Sequence, residues 1–485
     1  MSMERAEFSG KRVAVVGGGV SGLAAAHRLV ELGAGAAIKL FERAGQLGGT
    51  LQTEQRDGYL FELGADNFIT NVPWALDLCR RIGFEDQLVQ TDELHRGAFV
   101  VRRGRLRKIP QGFIIMAPSR VWPVIATPIL GPAGKLRMAA EYFVPRRTEE
   151  TDESLAAFVV RRFGRQTYER LVQPLIGGIY TGDPEKLSLA CTMPRFRDME
   201  RQHGSLIRAV MRQPSHRNAS DRTSSGGRYS MFVAPRGGIS SLVHAIAARL
   251  PKDCIHRNAP VTRLEREADG SWLITVEGET PRAERFDAVV VATPAKAAAR
   301  LLAPLDATLS EQLAAIHHSG CSTVSLAYRR EQIAHPMDGF GFVVPAVEKR
   351  RILSGSFSSV KYPGRAPEGW VLVRVFVGGA LQPELVELPD DRLREVAERE
   401  LAELMGIRGP AALVRIARLP ESMPQYYVGH QDRVAAIRQR AAGTPGLFLT
   451  GNAFGGVGIP FCVQGGERTA QQVVDYLQPP PAVSG

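Results

Sequence analysis

Apolar residues open the chain in the order strand, helix, strand. RVAVV at residues 12–16 reads as a short buried strand, 20–32 as a helix that Gly33 ends, and 36–41 as a second strand. This is the βαβ arrangement of a nucleotide-binding unit. Between residues 150 and 210 apolar positions fall at three and four spacing, as at Leu155, Phe158, Val159 and Phe163, and predict helices. Residues 213–230 (QPSHRNASDRTSSGGRYS) are polar and rich in Gly and Ser, and read as an exposed, mobile loop.

Helix and strand then alternate again, with a helix at 240–250 and strands at 259–265, 272–276 and 287–292. Strands at 322–328, 341–344, 352–357 and 371–377 predict an antiparallel sheet. Asp390 is expected to cap a helix whose apolar face is Leu393, Val396, Leu401 and Leu404, and Gly406 to stop it. A strand at 447–450 runs into a glycine-rich turn and a helix at 461–477, and the tail 478–485 (QPPPAVSG) reads as disordered.

The chain has 485 residues, of which 44% are hydrophobic and 23% charged. Disorder, collagen and coiled coil are thereby excluded as descriptions of the whole, and the length suits roughly three domains or two large interleaved ones. A net charge of +11 admits nucleic acid, an acidic membrane surface or an anionic small molecule. The basic residues are scattered in short groups (Arg102, Arg103, Arg105, Arg107, Lys108) without interleaved aromatics, so nucleic acid ranks last. Five distant cysteines without CxxC suggest neither a disulfide framework nor a zinc site. Glu4, Arg5, Glu7 and Lys11 precede the first apolar run, unlike a secretory signal, and the expected location is the cytoplasm. The apolar stretch 112–131 carries Pro118, Pro123, Pro128 and Arg120, which argues against a spanning helix. It reads either as core beneath a loop or as the apolar wall of a channel or a face lying on a membrane.

The chemistry begins at GGGVSG, residues Gly17, Gly18, Gly19, Val20, Ser21 and Gly22. Placed between a strand and a helix, this GxGxxG turn can offer backbone N–H groups and a helix N-terminus to a pyrophosphate. Glu42 falls about 20 residues beyond Gly22, at the end of the second strand, where a carboxylate can accept from a ribose diol. An acid there favours FAD or NAD over NADP. A second glycine turn at residues 45–50, with Gly49 and Thr50, and the GADN stretch Gly64, Ala65, Asp66 and Asn67 favour FAD. No acid–base pair, nucleophile or metal set is apparent; His317 and His318 read as ordinary surface or strand-edge residues.

VAVVGGGVSGLAAA, FERAGQLGGTLQT, GYLFELGADNF, PLIGGIYTGDPEKLSL, ESMPQYYVGH and LTGNAFGGVGIPFC together resemble the flavin amine oxidase superfamily, and within it the porphyrinogen oxidases of haem synthesis, over nearly the whole chain. The likeness is greatest to the Gram-positive bacterial coproporphyrinogen III oxidase type. It implies an α/β fold with a Rossmann-type FAD-binding domain built from discontinuous segments (1–92, 229–303, 437–478). It further implies an α+β substrate domain with an antiparallel sheet (93–108, 304–436), a helical insertion (109–212), a loop (213–228) and a tail (479–485). FAD is then expected along Gly17–Gly22, with Glu42 and Arg43 at the adenosine, Gly49 and Thr50 at the ribityl chain and Gly64–Asn67 at the isoalloxazine. Val261 would meet the adenine through its backbone, and Val457, Gly458 and Ile459 would lie at the pyrimidine edge. Pro460 can start the last helix there, so that its N-terminal N–H groups face the flavin.

For the substrate, the resemblance points to Gly178 as pocket-lining backbone and to Phe340 and Val343 as apolar walls; composition alone would read the latter two as core. Two positions depart from the pattern. Ala98 stands where many relatives have a propionate-pairing Arg, so Arg102, Arg103 and their neighbours are candidates to supply charge, against the plainer reading of a solvated face. Leu419 stands where the resembling bacterial forms tend to have Trp near the flavin. The implied reaction is a six-electron oxidation of coproporphyrinogen III, with dioxygen as acceptor and hydrogen peroxide as product, and protoporphyrinogen IX as the alternative substrate. Further expectations are a peripheral membrane contact and hand-off to a ferrochelatase. The rivals are an amine oxidase or carotenoid desaturase, and a non-catalytic lipid- or partner-binding protein, whose fingerprint glycines would be expected to be damaged.

Overall fold

The computed structural model describes residues 10–34, 38–118, 121–212, 232–278 and 281–478. The expected loop at 213–228 and tail at 479–485 lie outside them. Five parallel strands form one sheet in the order Ile255–His256, Ile38–Phe41, Val13–Val16, Ala288–Val291 and Leu447–Leu449. VAVV and AVVV at its centre are buried at every position, because a parallel sheet covered on both faces has no polar side. Val13, Val15, Ala288 and Val290 pack on one side with the helices Val20–Leu29, Ile239–Ala247 and Ile459–Leu477. Ala14, Val16, Val289 and Val291 pack on the other, with the antiparallel strands Val261–Arg266, Trp272–Val276 and Arg282–Phe286 and the helix Ala295–Leu302.

Gly33, at φ +96°, ends the first helical run as expected. The last helix starts at Ile459, two residues before the expected 461, because Pro460 brings a helical φ to its first turn. It lies close on the first helix: a Cβ at Gly466 would stand 2.3 Å from the Ser21 carbonyl oxygen.

The second sheet has seven strands in the order Leu413–Pro424, His318–Arg329, Trp370–Gly378, Ser354–Phe357, Gly341–Val343, Phe99–Arg102 and Arg105–Lys108. Only the pairing of Gly341–Val343 with Phe99–Arg102 is parallel. Leu326, Val373 and Val375 face the helix Asp390–Met405, while Ala327 and Leu372 face Tyr59 and Phe61 of the nucleotide-binding segment. Strand alternation thus gives one face to the sheet's own core and the other to the first domain. Two expectations are corrected. The strand Leu413–Pro424 is added to the expected sheet, since Arg415, Arg418, Pro420 and Glu421 hide its period; it is an edge strand, where such residues are tolerated. Asp390 does not cap the helix; Pro389 occupies that position and Asp390 is the first helical residue, its carboxylate turned to Arg418.

Residues 121–212 are largely helical, around Leu155, Phe158, Val159, Phe163, Ile176 and Phe196. A fully buried Arg162–Glu141 pair ties these helices together, and Ser205 Oγ also donates to Glu141, at 2.6 Å. The stretch 112–131 holds both buried and exposed apolar residues. Phe113, Met116, Val124, Ile129 and Leu130 are core, whereas Trp122 is 75% exposed and Ile125 also lies outside. No helix among the described residues is long and apolar enough to cross a membrane.

Candidate active site

The GxGxxG turn is fixed by close backbone contacts. The Gly17 N–H donates to the Phe41 carbonyl at 2.8 Å, and a Cβ at Gly22 would lie 2.0 Å from the Gly17 oxygen, so only glycine lets this helix start against its strand. Gly19 is different: a Cβ there would meet no protein atom within 4 Å. Its backbone faces open space, as the close approach of a pyrophosphate requires. The second glycine turn folds onto the first, with Gly48 N–H donating to Gly18 O at 2.8 Å and Gly49 at φ +59°. Glu42 stands beside them, its Oε2 accepting from the Gly18 N–H and its main-chain oxygen from the Ala259 N–H at 2.9 Å, two residues before Val261. Arg43 is exposed at the same end. The residues expected at the adenosine and pyrophosphate are therefore brought together, and the Gly19 opening fits an FAD pyrophosphate.

Gly64 packs on Thr50 so closely that a Cβ would fall 1.9 Å from the Thr50 oxygen. This joins Gly49 and Thr50 to the stretch Gly64, Ala65, Asp66 and Asn67. The stretch is gripped by Arg374 of the second sheet, which donates to the main-chain oxygens of Glu62 and Gly64 at 3.0 and 2.8 Å, and by Lys361 of the short helix Ser358–Lys361, whose Nζ lies 3.3 Å from Asp66 Oδ2. Burial pushes the Asp66 carboxyl up, but the charges of Lys361 and Arg374 outweigh it and hold the group below the ordinary range. Asp66 Oδ1 in turn accepts from the Asn67 amide at 2.5 Å, fixing that side chain. Glu62 is also buried, accepting from Thr53 Oγ1 at 2.7 Å and from the Ile239 N–H at 3.0 Å, and burial pushes its carboxyl up to about 7.

At the far side, a Cβ on Gly178 would touch Val343 Cγ1 at 3.4 Å, so these two expected substrate residues are neighbours. Gly178 is exposed although Ile176 and Gly177 are buried. Phe340 is 3% exposed and its main chain is held between Gly97 and Phe357. Val343 pairs in register with Val100, and Ala98, Val100 and Arg102 share one face of their strand. Ala98 is packed into the helical core. Arg102 lies 3.6 Å from Glu348, whose carboxylate also accepts the Arg103 and Gly104 N–H groups at 2.9 and 3.1 Å, and Lys108 pairs with Asp338 at 2.5 Å. Leu419 is half-buried on the edge strand opposite Cys321. His318 sits at the start of its strand with Nδ1 2.9 Å from Ile316 O.

The last helix opens at Gly458 with Ile459 and Pro460 in its first turn. The Phe461 and Cys462 N–H groups close onto Gly458 O, and the N–H groups of Val457, Gly458 and Ile459 precede those bonds. About two turns further along, Gly466 packs on Ser21 and Ala24, so this helix runs against the first one.

The profile of the flavin containing amine oxidoreductases matches residues 20–474. The chain belongs to this family. As a flavin-containing amine oxidoreductase it is an FAD-dependent oxidoreductase. It is 32% identical over 472 residues to the coproporphyrinogen III oxidase of Bacillus subtilis (strain 168), covering 96% of this chain and 98% of that one. The mitochondrial protoporphyrinogen oxidase of Nicotiana tabacum is 28% identical, over 97% of this chain and 96% of its own. A crystal structure of a candidate protoporphyrinogen oxidase from Exiguobacterium sp. 255-15 superposes with a TM-score of 0.84 at 28% identity, covering 96% of this chain and 99% of the other. A reduced UDP-galactopyranose mutase shares the fold alone, at 16% identity and a TM-score of 0.71.

Several residues that pack around the expected site residues carry little or no signal in the sequence. Glu62 and Arg374 each interrupt an apolar strand, YLFE and WVLVRVFVG, and a lone charge in such a run was the signal available. Lys361 carried none. Gln425, Tyr426 and His430 lie within ESMPQYYVGH, whose spacing points to no chemistry by itself.

Proposed function

We propose that this protein oxidises coproporphyrinogen III to coproporphyrin III in haem synthesis, six hydrogens passing to three dioxygen molecules to give three hydrogen peroxide molecules. The observation that carries the reading is full-length kinship with enzymes of that name in a chain whose Gly178 and Val343 meet as a wall beyond an intact fingerprint. Bound in this site, FAD would supply the hydride acceptor for a bridging carbon of the porphyrinogen, a chemistry that asks for no acid–base pair from the chain.

The chain's part is to bind, orient and exclude water. Gly17–Gly22 cradle the pyrophosphate, Glu42 and Arg43 the adenosine end, and the Val261 main chain the adenine. Gly49 and Thr50 follow the ribityl chain. Asp66, locked between Lys361 and Arg374, presents Asn67 at the isoalloxazine, with Gly64 and Ala65 beside it. Val457, Gly458 and Ile459 offer N–H groups to the pyrimidine edge, and Leu419, near the flavin, takes up less space than Trp would. Gly178, Phe340 and Val343 pack against the tetrapyrrole. Arg102 lies on the face that carries Ala98 and Val343, so it and Arg103 are the cations assigned to the propionates.

Four propionates against two make coproporphyrinogen III the more demanding of the two substrates for a basic rim. The same proposal includes the domain boundaries at 92, 108, 212, 228, 303, 436 and 478, a cytoplasmic location, and passage of product to a ferrochelatase. It also includes a peripheral membrane contact through the exposed Trp122 and Ile125.

The test is incubation of the purified protein in air with each porphyrinogen, following porphyrin fluorescence. A higher kcat/KM for coproporphyrinogen III supports the assignment; preference for protoporphyrinogen IX reverses it, and turnover of neither returns the chain to the amine oxidase branch. Neutralising Arg102 and Arg103 together should raise KM for the more anionic substrate.

A further inference from the structure

GGIYTGDPEKLSL and the glycine turn before the last helix both meet MPQYYVGH. Main-chain bonds tie it to GGIYTGDPEKLSL: the Ser188 N–H donates to Tyr426 O at 2.8 Å and the Val428 N–H to Lys186 O at 3.0 Å. Gln425 Nε2 donates to Tyr180 O at 3.0 Å and to Ser319 Oγ at 2.7 Å, and Ser319 shares a hydrogen bond with Thr181 Oγ1. One residue on, the motif turns to the glycine loop before the last helix. The Tyr426 hydroxyl donates to Asn452 O and accepts the Gly456 N–H at 2.9 Å, bracing both ends of the turn. His430 stacks on the Tyr426 ring, with centroids 4.2 Å apart and planes 14° from parallel, and its Nε2 lies 3.0 Å from Ala453 O.

Both side chains are buried, Tyr426 at 4% and His430 at 7% exposure. Burial raises the Tyr426 phenol well above its ordinary value and lowers His430 to about 4, so both are neutral near pH 7 and each carries the proton its carbonyl partner needs. The turn's other bonds are longer: Phe454 N–H to Gly451 O at 3.3 Å, Asn452 Nδ2 to Ser422 O at 3.4 Å and Arg438 to Phe454 O at 3.4 Å. Gly451 and Gly456 have φ of +142° and +143°, a flexible backbone that owes its shape to outside support.

We infer that Tyr426 and His430 are positioning residues, which hold the 452–456 turn so that the Val457, Gly458 and Ile459 N–H groups keep their aim at the pyrimidine edge of FAD. The inference rests on the reading that those N–H groups face the flavin. Preorganised donors at that edge favour the charge that gathers there on reduction. Loosening the turn therefore weakens FAD binding and makes the bound flavin harder to reduce. It leaves the Gly178 and Val343 wall in place.

The experiment compares wild type with Tyr426→Phe, His430→Leu and His430→Gln, each purified as the holoprotein. FAD dissociation constants come from titration of the apoproteins, and flavin potentials from dye equilibration. Tyr426→Phe and His430→Leu are expected to raise the FAD dissociation constant about tenfold, the loss of roughly one hydrogen bond, and to shift the potential to more negative values. His430→Gln, which can still donate to Ala453 O, is expected to recover most of both. Unchanged constants and potentials in Tyr426→Phe and His430→Leu overturn the inference, as does a Gln variant no better than Leu. Gly458→Asp separates the two levels. If it weakens FAD while the Tyr426 and His430 variants do not, only the positioning role fails; if all of them behave as wild type, the flavin-facing turn itself is rejected.

Discussion

The Gly18 N–H donates to Glu42 Oε2 at 2.7 Å, while Oε1 of the same carboxylate accepts the Ala44 N–H at 2.8 Å. Glu42 is thus aimed by its own backbone neighbours before any nucleotide arrives. A carboxylate has about four acceptor sites, so the remaining pair is left for a ribose diol. Glu42→Ala removes both the ribose contact and the brace on the turn, and FAD affinity should fall by roughly 10- to 100-fold, the cost of a charged hydrogen bond. Glu42→Gln should fall between, since one of its two ends donates and cannot serve both N–H groups. Fluorescence titration of the apoproteins checks this, and an Ala variant that binds like wild type would place the adenosine elsewhere.

Gly19 and Gly22 belong to one motif but should fail differently. A Cβ at Gly22 collides with the Gly17 oxygen at 2.0 Å, whereas one at Gly19 meets nothing within 4 Å. Gly22→Ala should lower the thermal midpoint of the apoprotein itself. Gly19→Ala should leave that midpoint near wild type and weaken FAD binding, because the added methyl fills only the ligand's space. Equal thermal loss in both would mean that Gly19 is structural.

These contrasts show what could be read in advance. The βαβ unit was legible because VAVV, the GxGxxG turn and Glu42 follow one another within thirty residues, and local periodicity reports local structure. The pairing of Gly64 with Thr50 and of Gly178 with Val343 was not, since it depends on how separate segments dock. The strand Leu413–Pro424 was missed because an edge strand need not alternate cleanly. Arg374 was missed because its main-chain partners leave no trace in sequence: it bonds the Glu62 and Gly64 oxygens more than three hundred residues away in the chain.

Glu62 should impose a pH dependence on stability. Its carboxyl is raised by burial from the ordinary 4.5 to about 7, so the folded protein holds this proton more tightly than the unfolded chain does. The resulting stabilisation is complete below about pH 4.5 and is lost as pH climbs to 7; at 1.36 kcal/mol per pH unit it amounts to about 3 kcal/mol. Glu62→Gln removes the titration while keeping an oxygen for the Ile239 N–H. The thermal midpoint of the variant minus that of wild type should rise between pH 5 and 7 and level off above. A difference that does not change with pH would mean that Glu62 is charged throughout.

Gly178 and Val343 offer a test of the substrate wall that spares the cofactor. Gly178 is exposed on a helix whose preceding residues Ile176 and Gly177 are buried, and the position of its missing Cβ is already at contact distance, 3.4 Å, from Val343. Gly178→Ala should fit with little change to the fold. Gly178→Val places two further methyl groups either against Val343 or into the space where a flat macrocycle would lie, and only the second is free of protein. KM for the porphyrinogen should therefore rise at least tenfold in Gly178→Val and far less in Gly178→Ala, with FAD content and flavin spectrum unchanged in both. Val343→Ala in the Gly178→Val background should return part of the loss by letting the new side chain lean back. If Gly178→Val instead sheds FAD and keeps its KM, the Gly178–Val343 contact borders the flavin and the tetrapyrrole binds on another side.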